Sequence, residues 1–266
     1  MDNPKHLVCY IDLLGFKEIL NSEIEEAKNR IKDMLPSNTL AGMMASYGVD
    51  FFAVSDGILF YRAVPADLQR EQALTILRNF LLILQIYQKD LLIKGILMRG
   101  GLTFGEFQTI TNRVGLVDVK NFLGKAMVKA YKMESEFATY PRIIVDHSVL
   151  LEKPFEFNNM QSIEKALNEL LMFRPVVPII GVEVNFESGD YLTIDYLKNI
   201  SLPDFEDICA RMFAVFNKLQ PPDVRKKIDW CVSYLMYSVL SKRTSSQSSE
   251  KIIEIGDKFG FRLSDT

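Results

Sequence analysis

The order of secondary-structure signals up to residue 145 restricts the fold more than any other feature of the sequence. The β-type runs are rich in β-branched and aromatic residues, whereas the helical segments repeat apolar residues every three to four positions. Strands are predicted over residues 7–11, 49–54, 58–61, 96–107 and 142–145, and helices over residues 18–35, 65–92 and 125–137. The order begins βαββαβ and predicts an α/β or α+β sheet with helices packed on one face.

The sequence after residue 150 predicts further strands and a helical end. A helix is predicted over 163–173, strands over 176–184 and 191–196, and helices over 205–219 and 223–240. We therefore divide the chain into a core (1–150), a part with the remaining strands and a C-terminal helical extension (151–243), and a polar break with a final segment (244–266).

The composition is that of a folded globular protein without a basic surface. The chain has 266 residues, 48% of them hydrophobic, and 31 Lys and Arg against 34 Asp and Glu give a net charge of −3. Proteins that bind nucleic-acid polymers usually neutralise many phosphates with clustered Lys and Arg. We therefore expect no nucleic-acid polymer as partner, whereas a single nucleotide remains compatible with this charge.

The cysteines and the apolar segments predict a cytoplasmic protein. Cys9, Cys209 and Cys231 are odd in number and far apart, which favours neither a disulfide framework nor a zinc ribbon and fits a reducing compartment. No export signal is visible at the N-terminus. The apolar stretch over residues 80–87 is much shorter than the roughly 20 residues of a membrane span. We expect neither export nor a membrane partner.

Two aspartates stand where predicted strands end. Asp12 follows the first apolar strand, and taken alone it is more typical of a helix N-cap. Asp56 lies in the Ser-Asp-Gly turn of a predicted hairpin, where Asp-Gly is also ordinary turn chemistry. If the first strand lies beside this hairpin, both carboxylates project from the same end of the sheet. Two close carboxylates can hold divalent metals against a triphosphate.

Four segments then occur in the order found in class III nucleotide cyclase domains, which this part of the chain resembles. They are residues 10–16 (YIDLLGF), 55–57 (SDG), 98–105 (MRGGLTFG) and 124–134 (GKAMVKAYKME). The spacing between Asp12 and Asp56 is also similar to that of the family. The resemblance implies a ferredoxin-like palm, which would carry the catalytic core within residues 1–150.

The resemblance also implies roles for single residues. Asp12 and Asp56, with the Leu13 carbonyl, would bind two Mn²⁺ or Mg²⁺ ions that activate the ribose 3′-hydroxyl of a nucleoside triphosphate. Arg99 falls where the family places an arginine on the triphosphate, although a surface arginine at a strand end is the alternative. Phe16, the last residue of the first segment, is assigned to nucleotide binding.

Two departures from the family concern the base. Purine cyclases typically carry a base-reading lysine where this chain has Phe52, and a base-reading aspartate where it has Asn121. Phe52 could stack on a base, and the amide of Asn121 could meet a pyrimidine edge. Phe52 is equally compatible with a core strand position.

Two further departures concern catalysis. The transition-state asparagine and arginine of the family correspond to Val128 and Lys132, so catalysis would depend on Lys132 and Arg99, or the domain is inactive. The set of differences resembles the bacterial pyrimidine cyclases of the Pycsar antiphage systems. That resemblance implies a homodimer with sites at its interface, manganese, UTP or CTP as substrate, and a separate effector protein that reads the cyclic nucleotide.

Three hypotheses follow from the sequence. The first is a pyrimidine cyclase that acts on UTP or CTP. The second is a catalytically inactive cyclase-like module that binds a nucleotide or a partner, which Val128 and Lys132 motivate. The third is a purine cyclase with a remodelled pocket. Because one fold can carry many functions, the resemblance alone does not choose among them.

Overall fold

The computed structural model describes residues 5–114, 117–172, 191–198, 200–216 and 222–240, together with Glu254, Ile255 and Lys258. The strands are β1 Lys5–Leu13, β2 Asp50–Val54, β3 Gly57–Val64, β4 Met98–Glu106, β5 Gln108–Val114, β6 Val117–Leu123, β7 Ile143–Asp146, β8 Leu171–Met172 and β9 Tyr191–Ile194. The helices are α1 Phe16–Ser22, α2 Ile24–Met34, α3 Asn38–Ser46, α4 Arg70–Ile93, α5 Lys125–Lys132, α6 His147–Leu151, α7 Met160–Leu167, α8 Leu202–Phe216 and α9 Pro222–Leu240. A π-helical turn, Met133–Phe137, continues α5.

Strand order confirms the predicted α+β fold. Seven strands of the described residues form one sheet in the order β2-β3-β1-β4-β7-β9-β8, and β5 and β6 form a separate hairpin. The order β2-β3-β1-β4 is antiparallel throughout, with α1 to α3 between β1 and β2 and α4 between β3 and β4. This is the split βαβ arrangement of a ferredoxin-like palm. β7 then pairs parallel to β4.

Helices cover both faces of the sheet, which corrects the expectation that they pack on one face. Leu7 and Cys9 of β1 belong to the main core, which also contains most of the buried residues of α4. Val8, between them, packs on the other face with Ala126 and Ala130 of α5. Successive side chains of a strand point to opposite faces, so the continuous apolar run of β1 is typical of a strand buried on both sides.

Gly101 allows α5 and the π-helical turn to lie close against β4. A Cβ atom at Gly101 would lie 2.5 Å from the Met133 Cβ and 2.6 Å from the Ala130 carbonyl oxygen. Two residues along β4, the Thr103 hydroxyl donates a 2.9 Å hydrogen bond to the Ala126 carbonyl. The helix is therefore held at a distance from the sheet that only glycine permits at this position.

We expect Gly101→Ala to destabilise the fold by about 2 kcal/mol, because the added methyl group must displace helix backbone. The matched control is Gly42→Ala in α3, where a Cβ atom meets nothing within 4 Å. Alanine there is expected to be neutral or to stabilise by up to about 1 kcal/mol, since it is the better helix former. Chemical denaturation measures both changes, and equal stability of the two variants would contradict the close contact.

The structure differs from the predicted elements at four places in the described chain. The helix predicted over 18–35 is interrupted at Glu23, whose backbone is extended, and this gives α1 and α2. The helix predicted over 163–173 begins at Met160, where Asn159 and Ser162 exchange hydrogen bonds as a capping box, and it ends at Leu167. Leu171 then pairs with β9, because cross-strand pairing there replaces the local helical preference. α3 and the β5–β6 hairpin were not predicted.

The C-terminal helical extension is confirmed, and it forms a second apolar cluster. Trp230 and Tyr234 of α9 and Phe205 of α8 are fully buried in it, and Leu92 connects it to the end of α4. The strand predicted over 176–184 and most of the final segment lie outside the described residues. All three cysteines are free and buried. None of the described helices is long and apolar enough to cross a membrane.

Candidate functional site

Asp12 and Asp56 come together where β1 meets the β2–β3 hairpin. Asp12 pairs in register with Gly57 of β3, the residue that follows Asp56. The Leu13 N–H donates a 3.1 Å hydrogen bond to the Asp56 carbonyl, which fixes the turn to the end of β1. Ser55 adopts a φ of 56°, as tight turns often require. The arrangement expected from the order of the strands is therefore present.

Arg99 lies directly opposite Asp12, in β4. This strand pairs with β1 on the side away from β3. The two residues are register partners in the antiparallel pair of β1 and β4, so their side chains project from the same face of the sheet. This is the face covered by α5. The Nε atom of Arg99 lies 2.6 Å from a carboxylate oxygen of Glu134 in the π-helical turn. Two carboxylates of the sheet edge, one guanidinium and one helical carboxylate therefore share a site.

The site carries more negative than positive charge, and the protonation of Asp12 reflects this. The pKa of Asp12 is raised to about 7, chiefly by partial burial and further by the neighbouring carboxylates of Asp56 and Glu134. Arg99 and the hydrogen bond at Leu13 act in the opposite direction but do not outweigh these effects. A cation beside Asp12 would relieve the repulsion.

Tyr10 adds a hydroxyl at the same place. A side-chain carbon at Gly57 would collide with the Tyr10 hydroxyl, so the glycine of the hairpin leaves the space that this ring occupies. The ring makes an edge contact with Tyr131 of α5 at 5.3 Å between centroids. Burial raises the pKa of Tyr10 above its ordinary range, and the nearby carboxylates, Asp12 first, act in the same direction. The hydroxyl therefore remains protonated and available as a donor.

Glu134 is the residue of the site that sequence reasoning missed. Its side chain is only 3% exposed, and burial raises its pKa while Arg99 lowers it. Glu134 closes the fourth sequence segment, so its position was visible. Its pairing with Arg99 was not, because it depends on the register of β4 and on the π-helical turn.

Phe16 does not join this group through its side chain. It is the first residue of α1, after Gly15 with a φ of 78°, and its ring is 6% exposed within the main core. Its predicted contact with a nucleotide would therefore fall to the backbone. The Leu13 side chain is likewise buried, which leaves only its carbonyl for the predicted metal contact.

The two predicted base-reading residues lie near the β5–β6 hairpin but do not face each other. The ring of Phe52 packs on Phe122 of β6 at 4.7 Å between centroids, and it remains partly exposed. Asn121 is exposed and precedes Phe122 in the strand, so the two side chains project from opposite faces of the hairpin. Phe52 is therefore compatible with both sequence interpretations. One side of the ring packs as a core residue would, and the exposed part could stack on a base.

Lys132 and Val128 lie on the exposed side of α5. Lys132 forms an ion pair with Glu136 at 3.7 Å, with both side chains more than half exposed. Val128 is 69% exposed. The neighbouring Lys129 is instead paired with the buried Asp146 at the end of β7. Lys132 is therefore separate from the Asp12 and Asp56 group of its own chain.

The donor set fits a metal ion that shares its coordination with a ligand. No group of three or more His, Cys, Asp or Glu side chains within the described residues is arranged to hold a metal ion. Asp12 and Asp56 supply two carboxylates, and their repulsion favours a cation. Mg²⁺ and similar ions commonly bind one or two carboxylates and complete their shell with water and substrate phosphates. The site is thus suited to a metal that arrives with a phosphate ligand.

Comparison with known proteins gives similarities among solved structures only. No protein-family model and no curated protein matches the chain. The adenylyl cyclase CyaB from P. aeruginosa is 15% identical with a TM-score of 0.43, over 73% of this chain and 94% of that one. A guanylyl cyclase is 18% identical with a TM-score of 0.42, over 73% and 91%. The guanylate cyclase domain of RhGC from Catenaria anguillulae, solved with GTP, is 15% identical with a TM-score of 0.41, over 72% and 94%.

Proposed function

We propose that the chain is a nucleotide cyclase that converts UTP or CTP to the 3′,5′-cyclic nucleotide and pyrophosphate. The observation that carries the proposal is the meeting of Asp12 and Asp56 opposite Arg99 on one face of the palm. Such a site combines groups for metal and for triphosphate at one edge of a sheet. The similarity to class III cyclases in the four ordered sequence segments supports the same chemistry.

Asp12, Asp56 and the Leu13 carbonyl would hold two Mn²⁺ or Mg²⁺ ions. When bound, these ions supply Lewis-acid charge to the ribose 3′-oxygen and to the α-phosphate. The protein's part is to position the Asp12 carboxylate, to fix the turn that carries Asp56, and to hold the triphosphate. The raised pKa of Asp12 makes metal binding dependent on pH.

The guanidinium of Arg99 would bind the triphosphate. Its planar group matches phosphate oxygens in a way that a lysine cannot. In the reaction the ribose 3′-hydroxyl gives up its proton to water and its oxygen bonds to the α-phosphorus. The bond between that phosphorus and the β-bridging oxygen breaks, and pyrophosphate leaves. Negative charge grows on the leaving oxygens, which is where Arg99 and a second cation would act.

Lys132 would provide that second cation from another copy of the chain. Within one chain it pairs with Glu136 rather than with the aspartates. Two exposed apolar side chains lie in the same helix, with Val128 69% and Tyr131 55% exposed. A second copy that covers these side chains would bring Lys132 to the partner's triphosphate. We therefore propose a homodimer with shared sites.

The choice of a pyrimidine rests on Phe52 and Asn121. Neither can form the lysine and aspartate contacts by which purine cyclases read their base, whereas the partly open ring of Phe52 offers a stacking surface. The cyclic product would act as a signal in antiphage defence through a separate effector protein, as the resemblance to Pycsar cyclases implies. A cytoplasmic location is part of the same proposal.

The direct test incubates the protein with Mn²⁺ and each of UTP, CTP, ATP and GTP and identifies the product by mass spectrometry. We expect cyclic UMP or cyclic CMP together with pyrophosphate. A cyclic purine would favour the remodelled purine cyclase. Nucleotide binding without any cyclic product would favour the inactive module and would exclude the proposed reaction.

Metal affinity is expected to rise with pH up to about 7, because Mn²⁺ binds the ionised Asp12, whose pKa is raised to about 7. Asp12 keeps its proton in the folded chain between about pH 4 and pH 7, where the unfolded chain has lost it. The stability of the metal-free protein should therefore fall across this window, by about 1 kcal/mol once solvent screening at this half-exposed site is allowed for.

Mn²⁺ titration calorimetry at pH 5.5 and 8 and denaturation in EDTA measure these two effects. Asp12→Asn is the control, since it should lose the pH dependence of stability that Asp12 contributes. A stability that rises in the parent chain over the same window, relative to this variant, would contradict the raised pKa.

A further inference from the structure

Glu134 holds a buried carboxylate against the arginine of the site. Its side chain is 3% exposed, that of Arg99 is 23% exposed, and Nε of Arg99 lies 2.6 Å from the carboxylate. A carboxylate is rarely buried unless it is paired, because removing it from water is costly. Arg99 is the cation that compensates Glu134.

The fold places this pair with a specific local device. The helix widens into a π-helical turn at Met133–Phe137, and Glu134 is its second residue. The absence of a side chain at Gly101 lets this turn contact β4, two residues from Arg99. π-helical turns within helices often occur at functional sites, where they redirect a side chain. Here the turn and the glycine together bring Glu134 to Arg99.

The contact uses only one edge of the guanidinium. Arginine has five N–H donors in a rigid plane, and Nε carries one of them. No hydrogen bond or ion pair joins the two terminal nitrogens of Arg99 to any residue in the described part of the chain. The contact is an ion pair, since neither Nε of Arg99 nor the facing oxygen of Glu134 has a hydrogen-bond partner among the described residues. It holds the guanidinium by charge at its Nε side, and the terminal donors remain available.

We propose that Glu134 is a positioning residue, which fixes the Arg99 guanidinium so that its terminal nitrogens meet the triphosphate. This inference rests on the proposed function, since it takes Arg99 as the group that binds phosphate. Without Glu134 the long arginine side chain would lose rotational freedom only when the ligand binds, and the affinity would fall by that cost. A lysine at position 99 could not do this, because its single ammonium nitrogen cannot offer separate nitrogens to Glu134 and to phosphate.

A second buried ion pair provides a matched comparison. Asp146 of β7, with a side chain 8% exposed, pairs with Lys129 of α5. This pair also joins α5 to the sheet. Asp146→Asn should reduce stability because a buried charge loses its partner, and Glu134→Gln should do the same. Asp146 does not pair with Arg99, so its loss should leave triphosphate binding unchanged.

The experiment measures the binding of inorganic tripolyphosphate with Mn²⁺ by calorimetry. In parallel, KM and kcat are measured for the nucleoside triphosphate that the chain cyclises. Glu134→Leu removes the carboxylate paired with Arg99 and is expected to weaken binding roughly tenfold, because Arg99 is then no longer held by a buried partner. Glu134→Gln keeps the shape and a polar oxygen without the charge, so it should fold even if the leucine variant does not, with a loss of about threefold. In both variants, the fold increase in KM should exceed the fold decrease in kcat.

The decisive arm repeats Glu134→Gln in an Arg99→Ala background. A residue that acts only through Arg99 should then have no further effect on tripolyphosphate binding. Tighter binding in the Glu134 variants would show that the carboxylate competes with phosphate, and this or an equal loss in Asp146→Asn would overturn the proposal. The probe contains no ribose, so a chain that binds it normally but forms no cyclic product would refute the proposed function and leave this inference standing.

Discussion

Asp12→Asn and Asp56→Asn are each expected to reduce cyclase turnover about a thousandfold or more, since each removes one of the two carboxylates that would hold the metals. The chain should still fold. Asp12 is half-buried among like charges, and its neutralisation relieves repulsion in the metal-free protein. Product formation by mass spectrometry and thermal unfolding measure the two effects.

Asp50→Asn is the matched control for this loss. Asp50 is an exposed aspartate at the start of β2, in the strand that leads to the Asp56 turn, and it lies outside the group around Asp12. Its replacement should leave turnover within about twofold of the parent. Full activity in either the Asp12 or the Asp56 variant would refute the assignment of the site.

A heterodimer of two inactive variants is expected to recover about half of the parent activity. One chain carries Asp56→Asn and the other Lys132→Ala, each with its own purification tag, so that selection for both tags isolates mixed dimers. If each site takes its aspartates from one chain and Lys132 from the other, both defects fall in one site and the second site is complete. The activity of the mixed dimer should exceed that of either homodimer at least about a hundredfold.

The control for this experiment combines Asp12→Asn with Asp56→Asn. Each of the two sites in that mixed dimer then lacks one aspartate, so no activity should return. A mixed dimer of Asp56→Asn and Lys132→Ala that stays inactive would show that Lys132 does not act across the interface. The exposed ion pair of Lys132 with Glu136 would then have only a structural role.

Much of the fold was predictable because it depends on local patterns. The long apolar repeat of α4 and the Ser-Asp-Gly turn are signals within a few residues, and α4 and the β2–β3 hairpin formed where they were predicted. The chain order of these elements was enough to expect Asp12 beside the Asp56 turn. The resemblance to class III cyclases then supplied roles that no local pattern could give.

The differences from the predictions share one physical cause, which is the contact between distant segments. Phe16 was assigned to nucleotide binding, which stays a prediction for its backbone, since the turn at Gly15 directs its ring into the core. Leu171 was predicted in a helix, but pairing with β9 makes it part of a strand. In each case tertiary burial or pairing outweighed what the neighbouring residues favoured.

The sequence by itself determined that strands and helices form a sheet with packed helices and that two aspartates stand at its strand ends, because periodicity and turn chemistry are local. The palm was implied by the resemblance to class III cyclases. Only the tertiary structure decided that α5 covers the second face and that Glu134 reaches Arg99. That contact depends on the register of β4, on the missing side chain at Gly101 and on a π-helical turn. These act over long sequence separations, where the free energy of packing rather than local preference selects the arrangement.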